Sequence, residues 1–330
     1  MSEQDTEPQD SAAPRRAAVI VNPVKADVAR LRAAVHAEEQ SNGWASSTWF
    51  ETTAADPGGQ AARAALQSTP TVVIVAGGDG TLRAAAEELH GSGVPIAIVA
   101  SGTGNLLARN LDLVADIETG VHTAFTGETR PIDVGVVRLE RGDEPATTHV
   151  FLVMTGVGLD ARMATDTNEA LKKRIGWLAY ADPISKSVMG NKRFTLHYRA
   201  DGGAETAVRA HTVIVGNCGT ITAGILLLPD AAPDDGLLDV VLLRPKGFWQ
   251  WLRVGSRLGL NRVLHRTHSA RAATRPGGKW REMRYLQART LSARFDVPEP
   301  TQLDGDAFGT ATGAEITVLP QALGIVRAQP

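Results

Sequence analysis

The stretch VIVAGGDGTLRAAAEEL, residues 73–89, leads an apolar run into three glycines around one aspartate and leaves through an alanine-rich helical segment. The stretch PIAIVASGTGN, residues 95–105, repeats the plan with a second glycine loop, and NLLARNL follows as another helix. Two strand–loop–helix units in succession restrict the chain to folds in which parallel strands end on one edge and helices cover the sheet faces. The preceding sequence extends the series. RAAVIVNP, 16–23, reads as a buried strand, residues 26–40 as a helix with Val28, Leu31 and Val35 at helical spacing, and STWFETT, 47–53, as a second strand. DPGG, 56–59, punctuates before the helix QAARAALQ, and Gly91 closes the helix TLRAAAEELHG. Strand and helix therefore alternate four times in about 120 residues.

The pattern changes near Arg130. RPIDVGVVRLE, HVFLVMTGVGL, RFTLHYR, TAVRAHTVIVGNC and GLLDVVLLRP read as strands separated by Gly, Asp and Pro, with one helical insertion at about 160–187. The expected fold is α/β, with a parallel-sheet domain at 17–134 and a larger, mostly antiparallel β-rich domain at 135–313. Residues 1–16 form a polar lead, and a strand at 314–330 is placed to return to the first domain.

Composition removes several function classes. One cysteine, Cys218, makes no internal disulfide, which fits a reducing, cytoplasmic setting. The start of the chain lacks a basic region followed by an apolar core, so no signal peptide is expected. The most apolar runs are far shorter than the roughly 20 residues of a spanning helix. No Cys/His cluster has zinc-ligand spacing. The net charge of −2 hides a segregation: residues 244–294 hold 13 Lys and Arg against one acid, Glu282, leaving 21 basic and 35 acidic residues elsewhere. Within that segment 246–266 reads as an amphipathic helix bearing Phe248, Trp249 and Trp251, and Trp280 follows. A basic, tryptophan-bearing face suits peripheral contact with an anionic membrane surface, although the tryptophans also suit a core. No nucleic-acid module is visible, so no nucleic-acid partner is expected. The sequence leaves the oligomeric state between monomer and homodimer.

Glycines at the carboxyl ends of parallel strands leave backbone N–H groups bare, and a helix N-terminus adds partial positive charge, so Gly77, Gly78 and Gly80 suit a phosphate. A tight strand-to-helix turn is the alternative for such a loop. Asp79 repels phosphate unless a cation intervenes, which implies Mg²⁺. The second loop, Gly102, Thr103, Gly104 and Asn105 after Ser101, is expected beside the first. The other strands end in Asn22, Pro23, Val24 and Lys25 and in Thr52 and Thr53, consistent with one crevice; Thr52 and Thr53 also read as ordinary strand-edge residues. QLDGDAFG, 302–309, and PDAAPDDGLLD, 229–239, each contain an Asp-Gly pair that reads as a turn on its own.

The ordered set VNP, GGDGT, SGTGNLLARNL, PIDVG, PDAAPDDGLLDVVLL and QLDGD across residues 20–306 resembles the diacylglycerol kinase catalytic-domain family, soluble bacterial lipid kinases related to sphingosine and ceramide kinases. The resemblance implies an active site in the cleft between a nucleotide domain and a lipid-binding β-rich domain. It implies transfer of the γ-phosphoryl group of ATP to a lipid hydroxyl with Mg²⁺, diacylglycerol being the default acceptor. Asn22 to Lys25, Thr52, Gly78–Thr81 and Thr103 would contact the nucleotide, and Asp79 would belong to a carboxylate–water–Mg²⁺ network. Asp306 takes the place of the family's proton-accepting Glu, with Asp304 as its companion on the Mg²⁺ and phosphate side. Asp133 matches a further family acid, and Asp235 with the carbonyls of Ala232 and Leu237 matches a structural Mg²⁺ loop. Three further places depart from the family pattern: Leu106 replaces an Asp, Arg83-Ala84 replaces Asn-Glu, and Lys25-Ala26 replaces a glycine turn. Arg83 is expected on the helix surface. Besides a sphingoid- or ceramide-type acceptor, a soluble acceptor such as NAD and an inactive nucleotide-binding regulator remain as alternatives.

Overall fold

Alternate residues of the first strand, β1 (Arg16–Val21), sort into two different cores. Ala18 and Ile20 pack with α2 (Gly59–Gln67) and α3 (Asp79–Leu89), through Ala61, Ala62, Leu82 and Ala86. Ala17, Val19 and Val21 pack on the other face with α1 (Val28–Asn42) and α5 (Ile117–Thr126), through Leu31, Val35, Val121 and Phe125. A strand buried on both faces must be apolar throughout, which is why β1 and β3 (Val72–Gly77) read as unbroken apolar runs. β2 (Ala45–Glu51), β1, β3 and β4 (Ile96–Ala100) pair in parallel, with β1 between β2 and β3. The helices stop and start where the sequence supplies caps. Asp27 accepts from the Arg30 N–H at the start of α1, Gly43 closes it with φ 65°, and Asp116 accepts from the Thr119 N–H to open α5.

This computed structural model describes residues 14–113, 115–158, 193–221, 225–246, 249–250, 254 and 282–329. The expected helix at 160–187 and nearly all of the helix at 246–266 lie outside them, as does most of the basic segment.

Beyond α5 the pairing is antiparallel. β5 (Glu128–Arg141), β6 (Glu144–Phe151), β7 (Met154–Gly158), β8 (Phe194–Ala200), β9 (Thr206–Ala210) and β10 (Thr212–Gly216) are followed by a small hairpin, β11 (Thr220–Ile221) with β12 (Ile225–Leu226). β13 (Leu238–Leu243), β14 (Met283–Ala288), β15 (Thr290–Leu303) and β16 (Asp306–Arg327) complete the set. The sheet runs β14-β13-β10-β7-β15-β16 and then continues through β4-β3-β1-β2. β16 makes that continuity. It pairs with β15 over its first half, with β5 along most of its length, and in parallel with β4 at Ile325–Ile96. β16 spans Asp306–Arg327 and meets β4 at Ile325, so the parallel and antiparallel halves share one sheet.

Candidate active site

The ends of β1, β3 and β4 meet at van der Waals distance, and glycine is what allows it. A Cβ at Gly102 would lie 2.7 Å from the Gly78 Cα, and one at Gly78 would lie 3.2 Å from Lys25 Nζ. The 22–25, 77–81 and 101–105 loops therefore form one surface, with the Lys25 ammonium over the Gly78 backbone. Each loop is fixed from within. Asn22 accepts the Val24 N–H on its side chain, and its carbonyl accepts the N–H groups of Lys25 and Ala26. Asn105, at φ 47°, accepts the Gly102 N–H and donates back to the Gly102 carbonyl. Thr81 is buried and fills the space where Gly77 lacks a side chain. Thr52 is buried at the end of β2, its N–H donating to the Val21 carbonyl, while Thr103 and Pro23 are exposed.

Asp79 is the first residue of α3, and it ties the two glycine loops together. Its Oδ1 accepts the Leu106 N–H at 2.6 Å, the start of α4 (Leu106–Asn110), and a Cβ at Gly104 would lie 2.7 Å from its Oδ2. Leu106 thus contributes its backbone, whatever its side chain. Burial raises the Asp79 carboxyl above its usual range, the Leu106 N–H opposes this, and the charge of Asp306 raises it further.

Asp306 enters from the other half of the molecule. Asp304 and Gly305 form a two-residue turn with φ 49° and 91°, the type I′ geometry of a tight hairpin, between β15 and β16. The turn and the functional reading of QLDGD are therefore compatible: the turn presents the acid. A Cβ at Gly80 would lie 2.7 Å from Asp306 Oδ2, so the hairpin tip rests on the first glycine loop and Asp306 faces Asp79. Two facing carboxylates, one buried and resisting ionisation, are a donor set that fits a hard divalent cation.

Two expected ligands are placed differently. Asp304 does not open toward the phosphate side. Its carboxylate is buried and accepts three backbone N–H groups, from Leu152 to Oδ2 at 2.9 Å and from Val153 and Met154 to Oδ1 at 2.8 and 2.9 Å. It anchors the hairpin and leaves Asp306 as the exposed acid. Asp133 is likewise held by backbone. It is fully buried, and its two oxygens accept the N–H groups of Gly236 and Gln321. With its own N–H on the Pro233 carbonyl, Asp133 holds the 233–236 loop. In that loop Asp235 accepts the Leu237 N–H on one oxygen, and burial followed by the charges of Asp133 and Asp234 raises its carboxyl. Ala232 and Leu237 flank it, a set that fits a cation bound by one carboxylate and backbone carbonyls.

Arg83 is the functional candidate that sequence reading put on the wrong side of its helix. It is buried and points at Asp306. Its spacing of four from Asp79 and from Glu87, on a helix otherwise rich in alanine, is the signal that marks this face.

The convergence of loops gives a direct prediction. Gly102→Ala is expected to force the Gly78 and Gly102 backbones apart, because backbone cannot yield as a side chain can. Nucleotide affinity should fall by about tenfold or more, a 1.4 kcal/mol effect, measured by calorimetric titration with ATP; Gly91→Ala, which meets nothing within 4 Å, is the control for backbone strain alone.

Comparison with known proteins follows the same division. Residues 16–137 match the family described as diacylglycerol kinase catalytic domain, and residues 153–327 match the YegS C-terminal NAD kinase beta sandwich-like domain. A diacylglycerol kinase of Mycobacterium tuberculosis is 25% identical over 268 residues, covering 80% of this chain and 79% of the relative. A diacylglycerol kinase of Bacillus subtilis is 26% identical, covering 73% of this chain and 78% of the relative. The chain spans only 54% of a Synechocystis relative, at 24% identity over 77% of its own length. A crystal structure from Bacillus anthracis superposes with a TM-score of 0.70 at 18% identity over 98% of both chains, which shows a shared fold.

Proposed function

The chain belongs to the lipid kinase family that joins a diacylglycerol kinase catalytic domain to a YegS-type β-sandwich, and we propose that it transfers the γ-phosphoryl group of ATP to a lipid hydroxyl, most simply that of diacylglycerol. The observation that carries this reading is the meeting of Asp306, from the β15–β16 hairpin, with the glycine loops that hold Asp79 and Lys25. The glycine-lined backbone of the 77–81 and 101–105 loops, the N-terminus of α3 and the Lys25 ammonium suit the phosphates of the nucleotide. Asn22, Pro23 and Thr52 line the neighbouring strand ends. Asp306 accepts the proton of the attacking hydroxyl, and direct in-line transfer then needs no covalent intermediate on the protein. Mg²⁺, held by Asp79 with Asp306 opposite, would screen phosphate charge when bound. Asp304 keeps the hairpin in register so that Asp306 stays within reach of the loops.

No described helix is long and apolar enough to cross a membrane. In this reading the acceptor is reached from the surface, through the basic segment 244–294. Trp249, 77% exposed among the described residues, supports such a docking face.

The test is transfer of label from γ-radiolabelled ATP with Mg²⁺ in anionic vesicles, with diacylglycerol, a sphingoid base, ceramide and soluble NAD as parallel acceptors. Label on diacylglycerol is expected. Label on a sphingoid base or ceramide changes the acceptor, label on NAD alone overturns the lipid reading, and ATP binding without transfer overturns the catalytic one. The protein should also sediment with anionic vesicles and remain in the supernatant with neutral ones.

A further inference from the structure

Arg83 carries a permanent charge in a place that gives it poor company. The residue is 7% exposed. Its Nη2 is 3.8 Å from Asp306 Oδ2 and its Nη1 is 3.8 Å from Glu87 Oε2, both beyond hydrogen-bond length. Its Nε–H is buried with no partner. A guanidinium has five donors and cannot be neutralised by losing its proton, so this one is held in place by something other than its hydrogen bonds.

That hold is the Phe308 ring, 4.4 Å from the Arg83 Cζ. Phe308 follows Asp306 by two residues on β16, so both side chains lie on one face of the strand. His149 of β6 packs edge-on against Phe308 at 5.0 Å and stands 3.4 Å from Glu87. Asp79, Arg83 and Glu87, spaced by four along α3, thus face Asp306, Phe308 and His149 across the junction of the two halves. Among the described residues, Arg83 is the only cation paired with Asp306.

We propose that Arg83 is a positioning residue for the transfer step: its stacked guanidinium holds the Asp306 carboxylate over the glycine loops and balances the charge of Asp306 against Asp79. This rests on the reading of Asp306 as the proton acceptor. Asp306 sits at a hairpin tip with its side chain half exposed, and it faces another carboxylate. Without a cation behind it, repulsion and solvation both draw it away from the hydroxyl it must meet.

The experiment combines Arg83→Gln, Arg83→Lys, Asp306→Asn and the Arg83→Gln/Asp306→Asn pair. Two readouts are needed: steady-state lipid phosphorylation, and Mn²⁺ binding to the nucleotide-free protein by electron paramagnetic resonance. Arg83→Gln should lower kcat by about 30-fold with KM for ATP within about twofold, as misplacement of a reacting group does. Arg83→Lys, which keeps the charge and loses the stacked planar fork, should recover only part of that loss. In the Asp306→Asn background Arg83→Gln should cost less than about twofold, because the residue has nothing left to position. Equal losses in both backgrounds, or a loss confined to KM for ATP, would overturn the proposal. Mn²⁺ should bind Arg83→Gln at least about threefold more weakly than the unmodified protein, since Asp306 no longer stays opposite Asp79; unchanged or tighter binding also overturns it. If the unmodified protein phosphorylates no acceptor, the proposed function fails, and the Mn²⁺ measurement alone decides whether Arg83 and Asp306 act as a pair.

Discussion

Asp306→Asn is expected to lower phosphoryl transfer by about 10³-fold, within the range for removal of a general base. The isosteric amide keeps the shape of the hairpin tip and loses the ability to take the hydroxyl proton. ATP affinity should stay within about twofold, because the proposed phosphate contacts come from the glycine loops and Lys25, on the other side of the junction from β16. Thermal stability should also hold. Asp306 is half exposed and its one cation among the described residues stands at 3.8 Å, an arrangement worth little to folding in water. A variant that folds, binds ATP and transfers nothing separates chemistry from binding. A variant with near-normal kcat would remove Asp306 from the acceptor side.

Asp304→Ala should do the opposite and act through stability. Three buried N–H groups, of Leu152, Val153 and Met154, lose their acceptor together. At about 1–3 kcal/mol for each orphaned group, the total loss is about 3 kcal/mol or more, enough to unfold a marginal domain. The turn adds to it, since alanine tolerates φ 49° less well than aspartate. Urea denaturation measures this directly. The same residue carries a pH signature. Burial, opposed by the three N–H donors, raises the Asp304 carboxyl to about 6. The folded state then keeps a proton that the unfolded chain has already released between about 3.8 and about 6, so stability falls as pH rises through that window and levels off above it. Asp239, raised to about 6 mainly by burial, adds a slope of the same sign. Asp304→Asn should therefore give a shallower decline in urea midpoint between pH 4.5 and 7.5, leaving the part due to Asp239.

The parallel half was legible because its strands are buried on both faces and end in glycine. An unbroken apolar run followed by Gly77-Gly78-Asp79-Gly80 has few other foldings, and the observed β3 and α3 lie within a residue or two of the expected bounds. The meeting of loops was legible too, because adjacent parallel strands end on one edge. Three facts were not. Arg83 looked like surface because α3 is nearly all alanine on its apolar side, so periodicity gave little contrast; the helix is buried from Thr81 to Ala86. The role of Asp304 depends on N–H groups about 150 residues away, and that of Asp133 on Gly236 and Gln321, about 100 and 190 residues away. Local sequence carries no trace of such partners. A carboxylate that ligates and one that staples a loop have the same spelling.

The long final strand has a consequence for biosynthesis. The four parallel strands precede β16 in the chain, and the outer edge of β4 has no strand partner until Ile325, some 230 positions later, arrives beside Ile96. Throughout that interval the nascent chain has an open sheet border with nothing of its own to cover it, and pairing so distant in sequence is slow to find. Nascent or truncated forms ending before residue 306 should therefore associate through that border and engage chaperones. The strand that meets β4 at Ile325 is also the one that begins at Asp306, so covering that border and bringing Asp306 to the glycine loops wait on the same segment.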